Sequence, residues 1–459
     1  MARLEDDALY GGAAGGGKTD AALMEALRQV DIPYYRGLVV RRTYPQMEAL
    51  VQRSEQIYPN AYKGAKFKST THTWHFPSGA VIIFGSMPHA ASKYNYQGKP
   101  YDFIVFEEVT QFLYEQYSYL KSRNRANGPG TRVYMRSTGN PGGIGHAWVK
   151  SRYIDPAPPM TTIWDNIEVQ HNGKIYKQRQ SRIFVPSSIF DNPALLNNNP
   201  GYMATLATLP EAERNALLYG DWSSFQGQAF REFKDLPEHY EDRLYTHVIA
   251  PFNPPRHWKC WRGFDFGYTR PYAVGWFVAD ERGKIYMIRE LYGCTGEPNV
   301  GVELQPAGIA KLIREVEETD PLLKGRQITG IADPSIFDQS RGPSIADIMA
   351  AHPYYVNWMP ADNTRLAGKH QCHYRLSFDD YGEPMFQVFN TCPEFIRTTP
   401  GLVYDEHNTE DVDTAGEDHL YDMWRYVMME SPITPPLPPD PEILKPDPLN
   451  LRKSRIFRI

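Results

Sequence analysis

The chain has 459 residues, 41% hydrophobic and 22% charged, with a formal net charge of −5 at pH 7. That length admits two compact domains with separate cores, and the composition is that of an ordinary globular protein. The longest apolar runs, 81–84 and 103–106, are strand-sized and exclude a bilayer span. Arg3, Glu5, Asp6 and Asp7 interrupt any secretory segment, so the expected location is the cytoplasm.

The four cysteines, Cys260, Cys294, Cys372 and Cys392, form no C-x-x-C pair, which argues against a zinc knuckle or a disulfide framework. His370-Gln371-Cys372-His373 lacks a matching half-site and reads as ordinary helix residues. The slightly acidic balance does not announce a nucleic-acid binder, although a local basic groove can steer DNA on an acidic protein.

The chain opens as alternating strands and helices, an α/β pattern. A strand at 8–10 runs into a glycine loop and a helix over 18–30. A strand at 37–42 precedes a helix after Pro45, and 73–76 with 80–84 flank Pro77-Ser78-Gly79 as a hairpin. Further strands are expected at 101–106 and 132–137. From about 155 the pattern loosens into a lid or linker subdomain. It includes a strand at 182–185, a turn at Asp191-Asn192-Pro193, and a helix at 211–218 closed by Gly220. Pro251–Pro255 marks the best linker. A second α/β unit then offers strands at 261–266, 273–280, 285–291 and 327–332, with helices at 309–316, 344–351 and 419–429. The Pro-rich stretch 432–459 is expected to be a flexible tail. The domain reading is therefore 1–225, a linker over 226–257, 258–431, and the tail 432–459.

Gly12-Ala-Ala-Gly15-Gly16-Gly17-Lys18-Thr19 fits G-x-x-x-x-G-K-[ST], set between a strand and a helix. Its glycines let backbone N–H groups turn around phosphates at a helix N-terminus. Lys18 is expected to reach the β/γ-phosphates of ATP and Thr19 to ligate Mg²⁺. Phe103-Ile-Val-Phe106-Glu107-Glu108 ends an apolar strand in two carboxylates. Glu107 is assigned to the magnesium shell, where Asp is commoner, and Glu108 to polarising the attacking water. Ser137-Thr-Gly-Asn140-Pro141-Gly-Gly ends the next strand, where the Asn140 side chain is placed to sense the γ-phosphate.

These pieces, in this order, resemble the large terminase subunits of tailed bacteriophages. Phe190-Asp-Asn-Pro193 and Leu218-Tyr-Gly-Asp-Trp222 are similar to landmarks of the same family, and the resemblance runs from Leu9 to about Met429. It implies a P-loop (ASCE-type) ATPase domain followed by an RNase H-like nuclease domain. It also implies an adenine-holding segment ahead of the loop. Few residues precede the first strand here, which leaves two readings: reduced base recognition, or a start downstream of the true one. An arginine finger from the same or a neighbouring subunit is a further implication, with Arg41, Arg42, Arg123 and Arg125 as candidates.

In the second unit Asp265 sits in a strand between Phe264 and Phe266, Asp333 ends the strand Ile331-Ala-Asp333, and Asp422 lies on the last helix. An acid between buried aromatics is unfavourable unless it binds something. Strand acid, strand-end acid and helix acid make the pattern of an RNase H-like nuclease, which the resemblance also implies. Converging carboxylates need cations, and two Mg²⁺ or Mn²⁺ about 3.5–4 Å apart would serve phosphodiester cleavage. Asp338, Asp418 and Glu417 are acids that could substitute in this assignment.

The expected function is ATP-driven translocation of double-stranded DNA into a procapsid, with cutting of concatemers at the start and end of packaging. The resemblance implies the portal protein and a small terminase subunit as partners. It further implies a ring on the portal, with a free monomer left open, and the host cell cytoplasm as location. No membrane is involved. A repair helicase with an appended nuclease and a non-catalytic ATP-switched scaffold are the rival readings.

Overall fold

Two separate β-sheets organise the chain. The computed structural model describes residues 2–433 except Gly173, Ser224, Gln226, Arg341, Glu406, His407 and Thr409. The tail expected at 432–459 therefore lies, from residue 434 on, outside the described residues. No described helix is long and apolar enough to cross a membrane.

The first sheet contains β1 (Asp7–Gly12), β2 (Arg36–Arg41), β3 (Lys66–Lys68), β4 (Thr73–His75), β5 (Val81–Ser86), β6 (Phe103–Phe106), β7 (Tyr134–Gly139), β8 (Thr162–His171) and β9 (Lys174–Ser187), in the order β3-β4-β5-β2-β6-β7-β1-β9-β8. The run β5-β2-β6-β7-β1-β9 is parallel throughout. A parallel sheet is covered on both faces, which is why Phe103, Ile104, Val105 and Phe106 are all buried with no alternation. The helices Lys18–Ala26 and Tyr44–Ala61 close one face through Leu23, Ala26, Leu50 and Tyr58. Tyr117, Leu120, Trp148 and Tyr153 close the other. The expected hairpin forms between β4 and β5, with Gly79 at positive φ in its turn.

Several elements escape the sequence reading, β3 and β8 of this sheet among them. The strand expected at 182–185 belongs to a long hairpin, with register from Thr162↔Ile183 to His171↔Lys174. Its outer part leaves Val169, Ile175 and Tyr176 exposed, so no inward face marks it by alternation.

The second sheet contains β10 (Val248–Ile249), β11 (Lys259–Asp265), β12 (Ala273–Ala279), β13 (Ile285–Tyr292), β14 (Ile328–Ala332), β15 (Met359–Pro360) and β16 (Phe386–Phe389), in the order β10-β16-β13-β12-β11-β14-β15. β11, β12 and β13 are an antiparallel meander, and β14 and β15 continue it parallel to β11. This is the RNase H-like arrangement. The helix Pro306–Thr319 covers one face through Ile309, Ala310 and Ile313. The helix His419–Met429 covers the other through Leu420, Met423, Trp424 and Val427.

The segment 226–257 is not the linker it was expected to be. Ala229, Phe230, Phe233 and Val248 join the apolar cluster of the second unit. Phe252, amid the prolines, packs on Trp258, Tyr286 and Phe389. Its aromatic residues are anchored to the second sheet, whatever its proline content suggests.

Gly263 and Gly275 face each other across β11 and β12. A Cβ on Gly263 would lie 2.8 Å from Val427 Cγ2 and 2.9 Å from the Met423 carbonyl, and one on Gly275 would lie 2.6 Å from Met423 Sδ. The bare backbone is what lets the helix His419–Met429 settle onto the sheet. Gly263→Ala should therefore overpack this contact and lower unfolding stability by about 1–3 kcal/mol, read by urea titration. An unchanged midpoint would mean that the helix does not sit so close.

Candidate active sites

The glycines of the first loop are required for different reasons. Gly12, Gly15 and Gly17 have φ of 121°, 77° and 75°, where a side chain would be strained. Gly16 is instead confined by space, since a Cβ there would lie 2.1 Å from Ser187 Oγ. The loop is also held from outside. The Tyr10 hydroxyl donates to the Gly16 carbonyl (2.8 Å), and Asn192 Nδ2 donates to the Gly15 carbonyl (2.9 Å). The amides of Ala13 and Ala14 donate to the carbonyls of Ser187 (2.9 Å) and Leu217 (2.7 Å). In sequence Asn192 offered a turn signal and a place in a family landmark, with no sign of a contact to the loop. In the structure it both caps the helix Pro193–Asn198 and fastens the loop.

Lys18 and Thr19 begin the helix that leaves the loop. The buried Lys18 ammonium donates to the Ala13 carbonyl at 2.5 Å. Burial lowers its pKa, opposed by the charges of Glu108 and Glu107. Thr19 Oγ1 donates to Glu107 Oε1 at 2.5 Å, although the loop and the glutamates follow strands separated by β7. Arg41, at the end of β2, places Nε 2.9 Å from Glu107 Oε2. Burial raises the Glu107 pKa and Glu108 adds to it, while Arg41, Thr19 and Lys18 pull the other way.

Glu108 adopts a left-handed backbone (φ 57°), and its Oε2 accepts from the Asn140 amide at 3.2 Å. Asn140 Oδ1 is buried with no hydrogen-bond partner. Arg41, Glu108, Thr110, Asn140, Gly143 and Leu217 line a cavity of about 380 Å³.

The four arginine candidates separate. Arg41 reaches the glutamates, and Arg42 Nη1 donates to the Gln111 carbonyl at 2.8 Å beside them. Arg123 and Arg125 do not share this site. Their backbones bond Tyr101, ahead of β6, whereas the glutamates follow the other end of that strand. The Arg123 guanidinium lies over the Tyr119 ring, 5.0 Å from its centroid. They belong to the opposite end of β6.

In the second unit, the pairing Phe264↔Ala332 brings Asp265 and Asp333 out at neighbouring strand ends. Asp265 Oδ2 lies 3.1 Å from His419 Nδ1, and His419 Nε2 lies 3.0 Å from Asn299 Oδ1. Asp333 accepts from the Ser335 amide (2.7 Å) and from the Tyr426 hydroxyl (2.9 Å) on the last helix. Asp422 accepts from Arg425 Nη2 at 2.9 Å, with Arg365 Nη1 at 3.4 Å. Asp418, one turn earlier, is buried.

These acids lie close enough for their charges to act on one another. Burial pushes Asp265 up to about 6, with His419 opposing and Asp422 and Asp333 adding. Burial also raises Asp418, again reinforced by Asp422. Burial acts on Asp333 too, but hydrogen bonds from Ser335, Tyr426 and Asn363 outweigh it and hold this acid below its usual value.

Two of the three alternative acids leave the assignment. Asp338 is fully exposed and caps a turn at Ser340. Glu417 is bonded to Arg397 and the Tyr292 hydroxyl. Asp418 stays.

Hard oxygen donors of this kind suit Mg²⁺ or Mn²⁺. The donor chemistry fits such ions, yet among the described residues no three His, Cys, Asp or Glu side chains stand close enough to hold one. The acids share an electrostatic field, and Asp422 in particular is held by arginines. The His370–His373 stretch lies on the helix Arg365–Leu376, with Cys372 buried and His373 Nδ1 3.0 Å from Glu232.

A glycine loop on the first strand of a parallel sheet, closed by glutamates across an intervening strand, is the fold of a P-loop ATPase, here followed by an RNase H-like α/β unit. Residues 9–234 match the family described as terminase large subunit, T4likevirus-type, N-terminal. That segment belongs to the terminase large-subunit family. No curated protein matches. Among solved structures the chain is similar to the HK97 bacteriophage large terminase, with 11% identity, 93% of this chain and 90% of that one covered, and a TM-score of 0.43. It is similar to the large terminase of the thermophilic bacteriophage D6E in complex with ADP, with 17% identity, 92% and 94% covered, and a TM-score of 0.36. It is also similar to the P22 large terminase nuclease domain, with 18% identity, 45% and 92% covered, and a TM-score of 0.33.

The raised Asp265 gives a test of the metal question with a defined sign. Without metal, the folded chain keeps this proton up to about pH 6, whereas the unfolded chain loses it near 3.8. Between those values the folded state binds more protons, so stability falls as pH rises, by up to about 1.4 kcal/mol per unit. The raised Asp418 continues the trend upward. A bound divalent ion would offset that loss. The rise in Tm on replacing EDTA with Mn²⁺ should therefore be larger at pH 7.5 than at pH 5, by calorimetry. An equal rise at both would mean that these acids do not bind the ion.

Proposed function

We propose that this chain is the large subunit of a phage terminase, hydrolysing ATP to move double-stranded DNA into a procapsid and cutting that DNA with a second site. The observation that carries the reading is the contact of Thr19, on the glycine loop, with Glu107, itself paired to Arg41. It joins the phosphate-binding and hydrolytic halves of one nucleotide site.

In this reading Gly12, Gly15, Gly16 and Gly17 shape the phosphate cradle, and Lys18 neutralises the β/γ-phosphates. Thr19 and Glu107 hold the Mg²⁺ shell, and Glu108 orients the attacking water. The unpaired Asn140 Oδ1 reads the γ-phosphate end of the cavity. Arg41 is the arginine paired with Glu107, and Arg42 supports the turn beside it. Arg123 and Arg125 are left to contacts outside this site.

The ATPase unit spans 1–225 with its lid from about 155, and the nuclease unit, which takes in the segment packed from Ala229 onward, runs to 431. At the nuclease site Asp265, Asp333 and Asp422, with Asp418 behind them, would hold two Mg²⁺ or Mn²⁺. Such ions activate water and stabilise the leaving oxygen of a phosphodiester. The protein's own part is to hold these carboxylates at adjacent strand ends and on one helix face. DNA contacts fall mainly on phosphates and are insensitive to sequence. The portal of the procapsid and a small terminase subunit are the partners, with a ring of copies on the portal in the host cell cytoplasm.

Two substitutions separate the activities. Lys18→Ala should lower ATP hydrolysis by roughly a hundredfold or more while Mn²⁺-dependent nicking of plasmid DNA persists. Asp265→Asn should abolish nicking while ATP turnover stays within about twofold of the parent. Normal ATP turnover in Lys18→Ala would remove the motor assignment, and normal nicking in Asp265→Asn would remove the nuclease assignment.

A further inference from the structure

The loop between β13 and the helix Pro306–Thr319 touches both units within a few residues. On one side Glu297 accepts from the Tyr114 hydroxyl, and Arg270 of the same junction lies 3.8 Å from Glu115. Tyr114 opens the helix Tyr114–Lys121, which follows Glu108 after one short turn, Val109–Gln111. On the other side Asn299 Oδ1 meets His419 Nε2 at 3.0 Å, and His419 Nδ1 meets Asp265 Oδ2 at 3.1 Å.

The two ends cannot move independently. The Val300 amide donates to the Glu297 carbonyl at 3.1 Å, closing 297–300 into one tight turn, and Asn299 within it has φ 61°. The Gly301 amide then donates to the Thr269 carbonyl at 2.9 Å, tying the turn to the segment just after Asp265. The Asn299 amide is also oriented. Its Nδ2 donates to the Gly416 carbonyl at 2.7 Å, which turns Oδ1 toward the imidazole. His419 thus faces an oxygen from each ring nitrogen, and its position is set from both sides. Beneath the turn lies a cavity of about 350 Å³, lined by Tyr114, Trp148, Arg270, Asn299 and Glu417.

We propose that Asn299 is a positioning residue for DNA cutting: it holds His419 against Asp265, and the 297–300 turn makes that hold depend on docking against Tyr114, beside the ATPase glutamates. Competence to cut is thereby tied to the contact between the two units. This rests on the nuclease assignment of Asp265 made above.

The test uses the full chain and two readouts, ATP turnover and plasmid nicking across a Mn²⁺ titration. Asn299→Ala should slow nicking about tenfold and raise the Mn²⁺ concentration for half-maximal rate, with ATP turnover within about twofold of the parent. Asn299→Asp keeps an oxygen toward His419 but sets the other against the Gly416 carbonyl, so it should recover only part of the rate. Tyr114→Phe removes only the hydroxyl that reaches Glu297 and should give a smaller loss. Combined with Asn299→Ala it should add nothing, because both act through one turn. Parental nicking and Mn²⁺ requirement in Asn299→Ala would overturn the positioning role. Losses that multiply in the double variant would overturn the link to Tyr114. Asp265→Asn in the same assay separates the levels: if it still nicks, the nuclease assignment fails and this proposal with it. If it is dead while Asn299→Ala and Tyr114→Phe behave as the parent, only the positioning claim fails.

Discussion

Two carboxylates about 4 Å apart repel by about 4 kcal/mol in a partly dried protein environment, and burial adds a desolvation penalty to each. This chain crowds acids twice and meets the cost in two ways. At the first site Glu107 and Glu108 are consecutive, and the offsetting groups come from elsewhere in the same sheet: Arg41 from the end of β2, Lys18 and Thr19 from the loop after β1. At the second site Asp265 and Asp418 respond with a raised affinity for protons, while Asp422 leans on Arg365 and Arg425. The first cluster has a cation built in for its buried acid. Among the described residues the second has no such cation beside Asp265 and Asp418 beyond His419, and its arginines stand on Asp422.

Both clusters stand where their sheets can hold them without giving up backbone hydrogen bonds. Strand ends leave side chains free while the strands themselves stay paired, and neighbouring parallel strands deliver their last residues to one level. Val40↔Phe106 aligns Arg41 with Glu107, and Phe264↔Ala332 aligns Asp265 with Asp333. The third component of the second site comes from a helix, and there register cannot help. The facing pair Gly263 and Gly275 takes over that role, letting Met423 and Val427 close on the sheet and thereby setting the depth at which Asp422 and Asp418 sit.

What could be read from sequence was local. The glycine loop, the apolar strand ending in two glutamates and the three aspartates each announce themselves within a few residues, and the α/β alternation around them gives the fold class. What could not be read was supplied across long separations. Asn192, Ser187 and Leu217 fasten a loop about 175 to 205 residues earlier in the chain, and only the folded sheet brings them there. The 162–187 hairpin was hidden because its outer part buries neither face. The 226–257 segment was misread because its prolines outweighed Phe230 and Phe233, which are core. Two signals were present and underused. Asp418 lies four residues before Asp422, hence on the same helix face. Arg41 is the arginine candidate that ends a strand flanking the one that carries the glutamates, whereas Arg123 and Arg125 follow the intervening helix back to the other end of β6.

The apolar interior also explains how the two units stay distinct in one chain. Among the described residues, none of the four buried apolar clusters draws on both sheets: the first unit's extends to Trp222, and the second unit's begins at Ala229. Between them the chain crosses in a short stretch. The bridging contacts away from it include the hydrogen bond of Tyr114 with Glu297 and the oppositely charged pair Glu115 and Arg270. Polar contacts that face water on release are cheap to break compared with a shared core, whose separation would expose apolar surface at about 25 cal/mol per Å². A junction of this kind lets each unit keep its own fold while its neighbour changes state. The turn carrying Glu297 and Asn299 is one place where contacts to both units meet within a few residues.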